Sequence, residues 1–461
     1  MATYVANDPV YPTVGEIVTF VAVRSSLVST DGSDPFYDRL KLFVREQKGK
    51  DFAQLEQILD ELQRRLEEYF SPPGLGNITF EVFRRFLDRY KSLILFGRAN
   101  GWGRKRFIEE KLVPEFIVPY AAWLLRQLND EPFDFLSIDE LLRSDAPLKV
   151  ALNHSLSLAG KSWLDLAEIY CGKTQTYEGK KAEHDIEDNK KLIHKWGTGK
   201  ATPSLETCLE LLEGLDQIQY SGIVFWVWIA RFLQKIDKRY RILIAEAIQR
   251  RTELPSPVAF GQALSEESDA LARATMSKDA FYCLTHLTNL LFYSRHRHKG
   301  DKGRAEQLLS AVRELVREAS PTTYYITWLE ARYHLYCRDL PKALAGYEQA
   351  FYEGMYGDFQ AETMVLPEWA AIAQKAGDKA ALKRIDSRMK LLRMYPTEMG
   401  AEEVATLRMK AFHDNFGAGV CFIEAFATDQ ELSLNPTKAM SGSGVKRSAA
   451  ASLSETDIHP R

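Results

Sequence analysis

Between positions 161 and 200 the chain gathers side chains of the kinds that contact a polyanion. Asn189, Lys190 and Lys191 are consecutive, and Lys161, Ser162, Lys173, Lys195 and Lys200 flank them. An asparagine amide can pair bidentately with adenine, and a lysine ammonium can reach guanine or a backbone phosphate. Two further basic groups lie elsewhere. One is Arg104-Lys105-Arg106, which follows the glycine-rich run Gly97-Arg98-Ala99-Asn100-Gly101-Trp102-Gly103. The other is Arg295-His296-Arg297-His298-Lys299. Either could add phosphate contacts, and the second could also bind an acidic peptide or a phosphorylated ligand. The competing reading makes the first a surface turn with an exposed aromatic and the second a solvated loop between helices.

Other chemistries find less support. His184, Asp185, Glu187 and Asp188 resemble the acidic cluster of a metal-dependent nuclease. Such a centre needs carboxylates fixed on a rigid scaffold, and these fall at a helix start beside an insertion. His296 and His298 have no cysteine or carboxylate cluster beside them, so no metal is expected. Neither a Gly-x-Ser-x-Gly elbow nor a His-Glu-x-x-His helix occurs, and the Gly97 run lacks the Gly-Lys-Ser/Thr ending of a phosphate-binding loop. The expectation is a protein without catalytic residues or cofactor.

The elements that must position these groups read as helices. Phe52, Leu55, Ile58, Leu59, Leu62 and Leu66 recur at three- and four-residue steps up to Pro72-Pro73-Gly74, and Phe80, Phe83, Phe86, Leu87 and Tyr90 repeat the pattern. Another helix runs from Phe116 to Leu128, entered after Pro114 with Pro119 in its first turn. Alternating strand-like runs are nearly absent, so the class is all-α. Only Val14 to Val28, rich in β-branched residues, leaves a strand open.

Around the basic set, four helices are expected: Leu148 to Leu158, Ser162 to Tyr170 (ending at Gly172), Ile186 to Trp196, and one opened by Pro203-Ser204 with Ser204 as N-cap. Leu166, Ala167 and Ile169 would face Leu192, Ile193 and Trp196. This arrangement, with Trp196-Gly-Thr-Gly199-Lys200 followed by Pro203-Ser204-Leu205-Glu206-Thr207, resembles the Cro and phage-repressor (XRE-type) helix-turn-helix family. The resemblance implies that the third helix enters the major groove of DNA, with Asn189, Lys190 and Lys191 toward bases or phosphates and Lys161, Ser162, Lys173, Lys195 and Lys200 on phosphates. The chain departs from that pattern in a long polar stretch after Gly172 and in the carboxylates Asp185, Glu187 and Asp188, which suit a helix N-terminus but repel phosphate.

From about Lys278 the chain repeats itself. Ala305, Ala343 and Ala381 are spaced by 38 residues, each after a polar turn and each followed by bulky residues one helical turn on. Aromatic-rich segments precede the turns, around Phe292-Tyr293, Tyr333 to Tyr336 and Trp369 to Ala373. Ala343, Tyr347 and Ala350 resemble the small-bulky-small pattern of tetratricopeptide repeats, which implies stacked antiparallel helix pairs that bind a protein or peptide. The period is longer than is usual in that family, and Arg388 stands where a small residue is expected.

With 461 residues, two or three domains are expected. The proposed division is a helical region at 1–145, the helix-turn-helix-like unit at 146–218, connecting core helices at 219–277, repeats at 278–432 and a disordered tail at 433–461. The net charge of −3 gives no global attraction to a polyanion, so any nucleic-acid surface must be local. Five scattered cysteines without a CxxC, and an N-terminus without a basic and apolar leader, fit a reducing cytoplasm. The apolar run Ile223 to Leu233 contains Arg231 and is shorter than a bilayer span, which takes roughly 20 residues. These features together suggest a DNA-binding regulator, plausible as a homodimer, with a repeat region for a protein partner. The rival is a helical-repeat adaptor that never touches DNA.

Overall fold

The computed structural model describes residues 9–30, 32–45, 52–70, 74–99, 101–129, 136–175, 182–218, 221–291, 301–316, 323–337 and 339–392. Within these spans the side chains of 171–175 and 182–189, with a few at helix ends, lie outside the description. Among the described residues every regular element is helical and no strand occurs, as the apolar spacing required.

The first group comprises α1 (Val14–Arg24), α2 (Pro35–Arg45), α3 (Phe52–Tyr69), α4 (Leu75–Phe96), α5 (Arg104–Phe107), α6 (Val118–Asn129) and α7 (Ile138–Arg143). The segment that left a strand open is α1. Thr13 accepts a hydrogen bond from the Glu16 amide at 3.1 Å, and the Glu16 carboxylate accepts from the Thr13 amide at 2.6 Å. That reciprocal cap satisfies two orphan donors and outweighs the β-branched preference of Val14 and Val18, which are buried. Pro114 does not open a helix, as the sequence had suggested. Arg104 to Asn129 is continuous, and Pro114 sits inside a widened π-type segment, Ile108–Ile117. The wider turn accommodates a residue that cannot donate to the helical ladder.

The second group is α8 (Pro147–Ala159), α9 (Trp163–Gln175), α10 (Ala182–Gly197) and α11 (Leu205–Gly214), followed by α12 (Ser221–Gln234) and α13 (Lys238–Gln249). The third is α14 (Pro257–Thr275), α15 (Lys278–Asn289), α16 (Asp301–Leu315), α17 (Thr323–Tyr336), α18 (Leu340–Gly354), α19 (Leu366–Ala376) and α20 (Lys379–Leu391). Helices α15/α16, α17/α18 and α19/α20 pack as pairs, and α16 on α17 and α18 on α19 join one pair to the next. Ala305, Ala343 and Ala381 all sit buried on the second helix of a pair. The middle pair crosses closely one turn on, where a Cβ added to Gly346 would lie 2.9 Å from that of Ala331. Phe292-Tyr293 and the tail from 433 lie outside the described residues.

One core cluster runs from Tyr11 to Leu392 and takes in α1–α4, α12, α13 and α17–α20, crossing the borders suggested at 145, 218 and 277. Its ends are joined directly. The Tyr11 amide donates to the Tyr356 carbonyl at 2.8 Å, and the Ala99 amide to the Gly357 carbonyl at 2.7 Å. Tyr356 holds a left-handed backbone (φ 58°) to present these acceptors. Two satellite cores stand apart, one between α15, α16 and α17 and one inside α8–α11.

The 97–103 loop is a packing joint. A Cβ on Gly261 of α14 would meet the Phe96 carbonyl carbon at 2.8 Å, and one on Gly101 the Ser268 carbonyl oxygen at 2.8 Å. The glycines let the loop lie against α14, with the Gly101 amide donating to Ser268 Oγ at 2.9 Å. Trp102 is buried, in contrast to the exposed aromatic expected, with Arg106 and Lys111 over its ring.

Candidate nucleic-acid interface

The α8–α11 unit is defined by its helix ends. Gly160 ends α8 in a left-handed turn (φ 63°), with the Lys161 amide returning to the Leu156 carbonyl at 2.9 Å. Gly199 does the same for α10 (φ 72°), with the Lys200 amide on the Lys195 carbonyl at 2.9 Å. Both are glycine C-caps of a kind that satisfies the last carbonyls of a helix. Ser204 caps α11 as the sequence indicated, accepting from the Thr207 amide at 3.0 Å.

Inside the unit, Leu156, Leu166, Ala167, Ile193, Trp196 and Leu211 form a separate core. The Tyr170 and Trp196 rings meet edge-on at 5.2 Å. Trp163 packs on Gly197 and donates from Nε1 to Asn153 Oδ1 at 2.7 Å, tying α8, α9 and the end of α10 together. With Ile193 and Trp196 turned inward, helical spacing leaves Lys190, Lys191, His194 and Lys195 outside, and all four are exposed. Lys161 and Lys200 are exposed as well, at the caps of α8 and α10.

Three features differ from expectation. Helix α9 runs through Gly172 to Gln175, and α10 begins at Ala182 rather than near Ile186. Asn189 therefore lies about 10 Å along α10, at 1.5 Å per residue, in the middle of the helix instead of its first turn. Ser162 is already engaged. Its amide and hydroxyl donate to Asp165 Oδ2 at 2.6 and 2.8 Å, and these bonds hold the Asp165 carboxyl below the usual carboxylate range. A phosphate would have to displace that carboxylate. The side chains of Lys173 and Asn189, and of His184, Asp185, Glu187 and Asp188, lie outside the described residues.

The secondary basic group is largely committed to the fold. Arg104 donates to the Pro9 carbonyl and pairs with Glu16 at 2.7 Å, and Arg106 pairs with Glu110 at 2.8 Å. Among the described residues Lys105 alone of that trio has no ion pair, and it is exposed. Arg295, Arg297 and Lys299 lie outside the described residues. Among the described residues no group of three or more His, Cys, Asp or Glu could hold a metal ion, and no helix is long and apolar enough to cross a membrane.

Sequence reasoning did not anticipate a buried polar ladder through the paired helices α17–α20. Glu368, fully buried, accepts from Trp328 Nε1 at 2.7 Å and Tyr347 Oη at 3.1 Å and pairs with Arg332. Arg388, the departure from the repeat pattern, pairs with buried Glu362 at 2.5 Å and donates to Tyr356 Oη at 2.8 Å. Tyr324 donates to Asp358, which also lies 3.4 Å from Arg98 Nε. The visible signal was charge inside apolar runs, as in Glu362 and Glu368 around Val365-Leu366-Pro367.

The structure thus defines an all-α protein in which α8–α11 share an apolar cluster of their own and α15–α20 pack as successive helix pairs. Comparison of the chain with protein-family models, curated proteins and solved structures returned no match.

Proposed function

We propose that the protein binds duplex DNA through α10 and its caps, and engages a protein or peptide with the paired helices α15–α20, acting as a regulator. One observation carries this reading: a helical unit with its own apolar core turns a row of lysines, Lys190, Lys191 and Lys195, toward solvent. At i, i+4 spacing Lys191 and Lys195 are neighbours on one face, and Lys161 and Lys200 extend the charge to the adjoining caps. Such a patch meets the need for a local basic surface on a chain of net charge −3.

The second reading, an adaptor that does not bind nucleic acid, is favoured by the placing of the charges along α10. Acidic residues open the helix and basic residues close it, which the helix dipole alone rewards.

Gel retardation with mixed duplex fragments at two salt concentrations separates them. The regulator retards DNA in a manner that weakens steeply with salt, and Lys190→Ala with Lys191→Ala lowers the salt slope by about two. Absence of retardation at micromolar protein establishes the adaptor. DNA cleavage with magnesium that disappears in Asp185→Ala would establish the nuclease instead.

A further inference from the structure

The buried arginines differ in how their charge is met. Arg332 and Arg388 each face a buried carboxylate, and Arg241 donates to the carbonyls of Ile236, Leu142 and Ser144. Arg231, on α12, is 3 % exposed and has one carbonyl, that of Pro203, at 2.6 Å from Nε. Its Nη1 is buried without a hydrogen-bond partner among the described residues.

The neighbours of Arg231 deepen the imbalance. Lys235 is the first residue past the end of α12, four positions after Arg231, and its ammonium is 3.3 Å from Ser26 Oγ. Arg24, in the last turn of α1, is close enough for its charge to bear on Lys235. Cys208 completes the surroundings, and burial keeps its thiol protonated by pushing it up to about 12. Among the described residues, none of the groups that bear on Arg231 or Lys235 is a carboxylate. Burial and the two arginines hold the Lys235 ammonium down at about 8.

Three cations gathered without an anion, one of them shut away from water, oppose both desolvation and mutual repulsion. Their exposure is graded. Arg231 is buried, Lys235 half-buried and Arg24 exposed. Ser26 Oγ adds a hydroxyl beside Lys235. These are the donors an oxyanion site uses, charge-assisted N–H groups drawn from the last turns of α1 and α12 and the residue after α12.

We propose that Arg24, Arg231 and Lys235 form a binding site for a small phosphate-bearing ligand. The site adjoins the α8–α11 unit, because Arg231 and Gln234 of α12 hold the Ala201–Pro203 segment between α10 and α11 through the Pro203 and Ala201 carbonyls. An anion drawing on the Arg231 guanidinium is therefore coupled to the segment that closes α10. The proposal does not depend on DNA binding by α10.

The test is thermal unfolding and titration calorimetry of the full chain with inorganic phosphate, a nucleoside 5′-monophosphate and a short duplex, each against sodium chloride of equal ionic strength. A saturable rise in Tm with phosphate or the monophosphate is expected, and stronger binding of the monophosphate would show that the ligand is a nucleotide. Arg24→Gln and Lys235→Gln, which leave Arg231 and its carbonyl bond in place, should each weaken binding on the order of tenfold. The site is overturned by no rise beyond that of chloride, by an equal rise in both variants, or by a response to the duplex alone. In the last case the cluster belongs to a nucleic-acid surface instead.

Discussion

Arg332 and Glu368, one on α17 and one on α19, form an ion pair whose members are 2 % and 0 % exposed. Trp328 and Tyr347 complete the hydrogen bonding of the carboxylate. Removing one partner leaves a buried charge unmatched. Glu368→Ala should therefore cost about 3–5 kcal/mol in urea unfolding, whereas replacing the pair together by apolar residues of similar volume should cost far less. Equal losses in the single and double variants would show that the pair is not the interaction that matters.

The joint between α14 and the 97–103 loop offers a steric test. Gly261→Ala places a methyl 2.8 Å from the Phe96 backbone and 2.9 Å from the Gly97 amide nitrogen, where neither can yield easily. A loss of about 1–3 kcal/mol is expected. Gly103→Ala, with nothing within 4 Å of its new Cβ, should stay within about 0.5 kcal/mol of the parent.

Trp196 anchors the satellite core of α8–α11, so Trp196→Ala should cost about 3–5 kcal/mol. Because that core is separate from the main one, amide exchange should accelerate in α9 and α10 well before it does in α3 or α4. Uniform acceleration across the chain would contradict the separation.

Lys235 gives a pH signature. Its folded ammonium titrates at about 8 against 10.5 for a free lysine, so the unfolded chain binds the extra proton between those values. Stability should rise with pH across that window, and the difference between the parent and Lys235→Met in phosphate-free buffer should shrink as pH climbs from 8 to 10.5. Thermal melts of both proteins at half-unit intervals would show it.

Cys208 should resist thiol reagents in the folded protein, being fully buried with its thiol pushed up to about 12. Cys283 and Cys337, partly exposed, should react before Cys208. Mass spectrometry of the alkylated protein distinguishes them.

Helix after helix was legible because apolar side chains recur at three and four residues, and Ser204 was recognisable as a cap because Thr207 stands three residues on. The Thr13-x-x-Glu16 cap was equally visible, yet the valines of α1 drew attention to a strand. Pro114 misled because a widened turn can carry a proline that a regular helix cannot. The glycines at 97 and 101 were read as a surface loop, since their partner on α14 is more than 150 residues away in sequence. Separation in sequence also hid the cation cluster: Arg24 and Lys235 come near each other only when the ends of α1 and α12 meet. For the lysine patch the residue types were readable from sequence, whereas their position on α10 depended on where that helix begins.

The bond from the Tyr11 amide to the Tyr356 carbonyl has a consequence for biosynthesis. The opening turn of the chain rests on a surface made more than 340 residues later, so the first helices cannot complete their packing while the ribosome is still translating the middle of the message. Their apolar faces must wait, shielded or partnered by other means, until α18 has emerged.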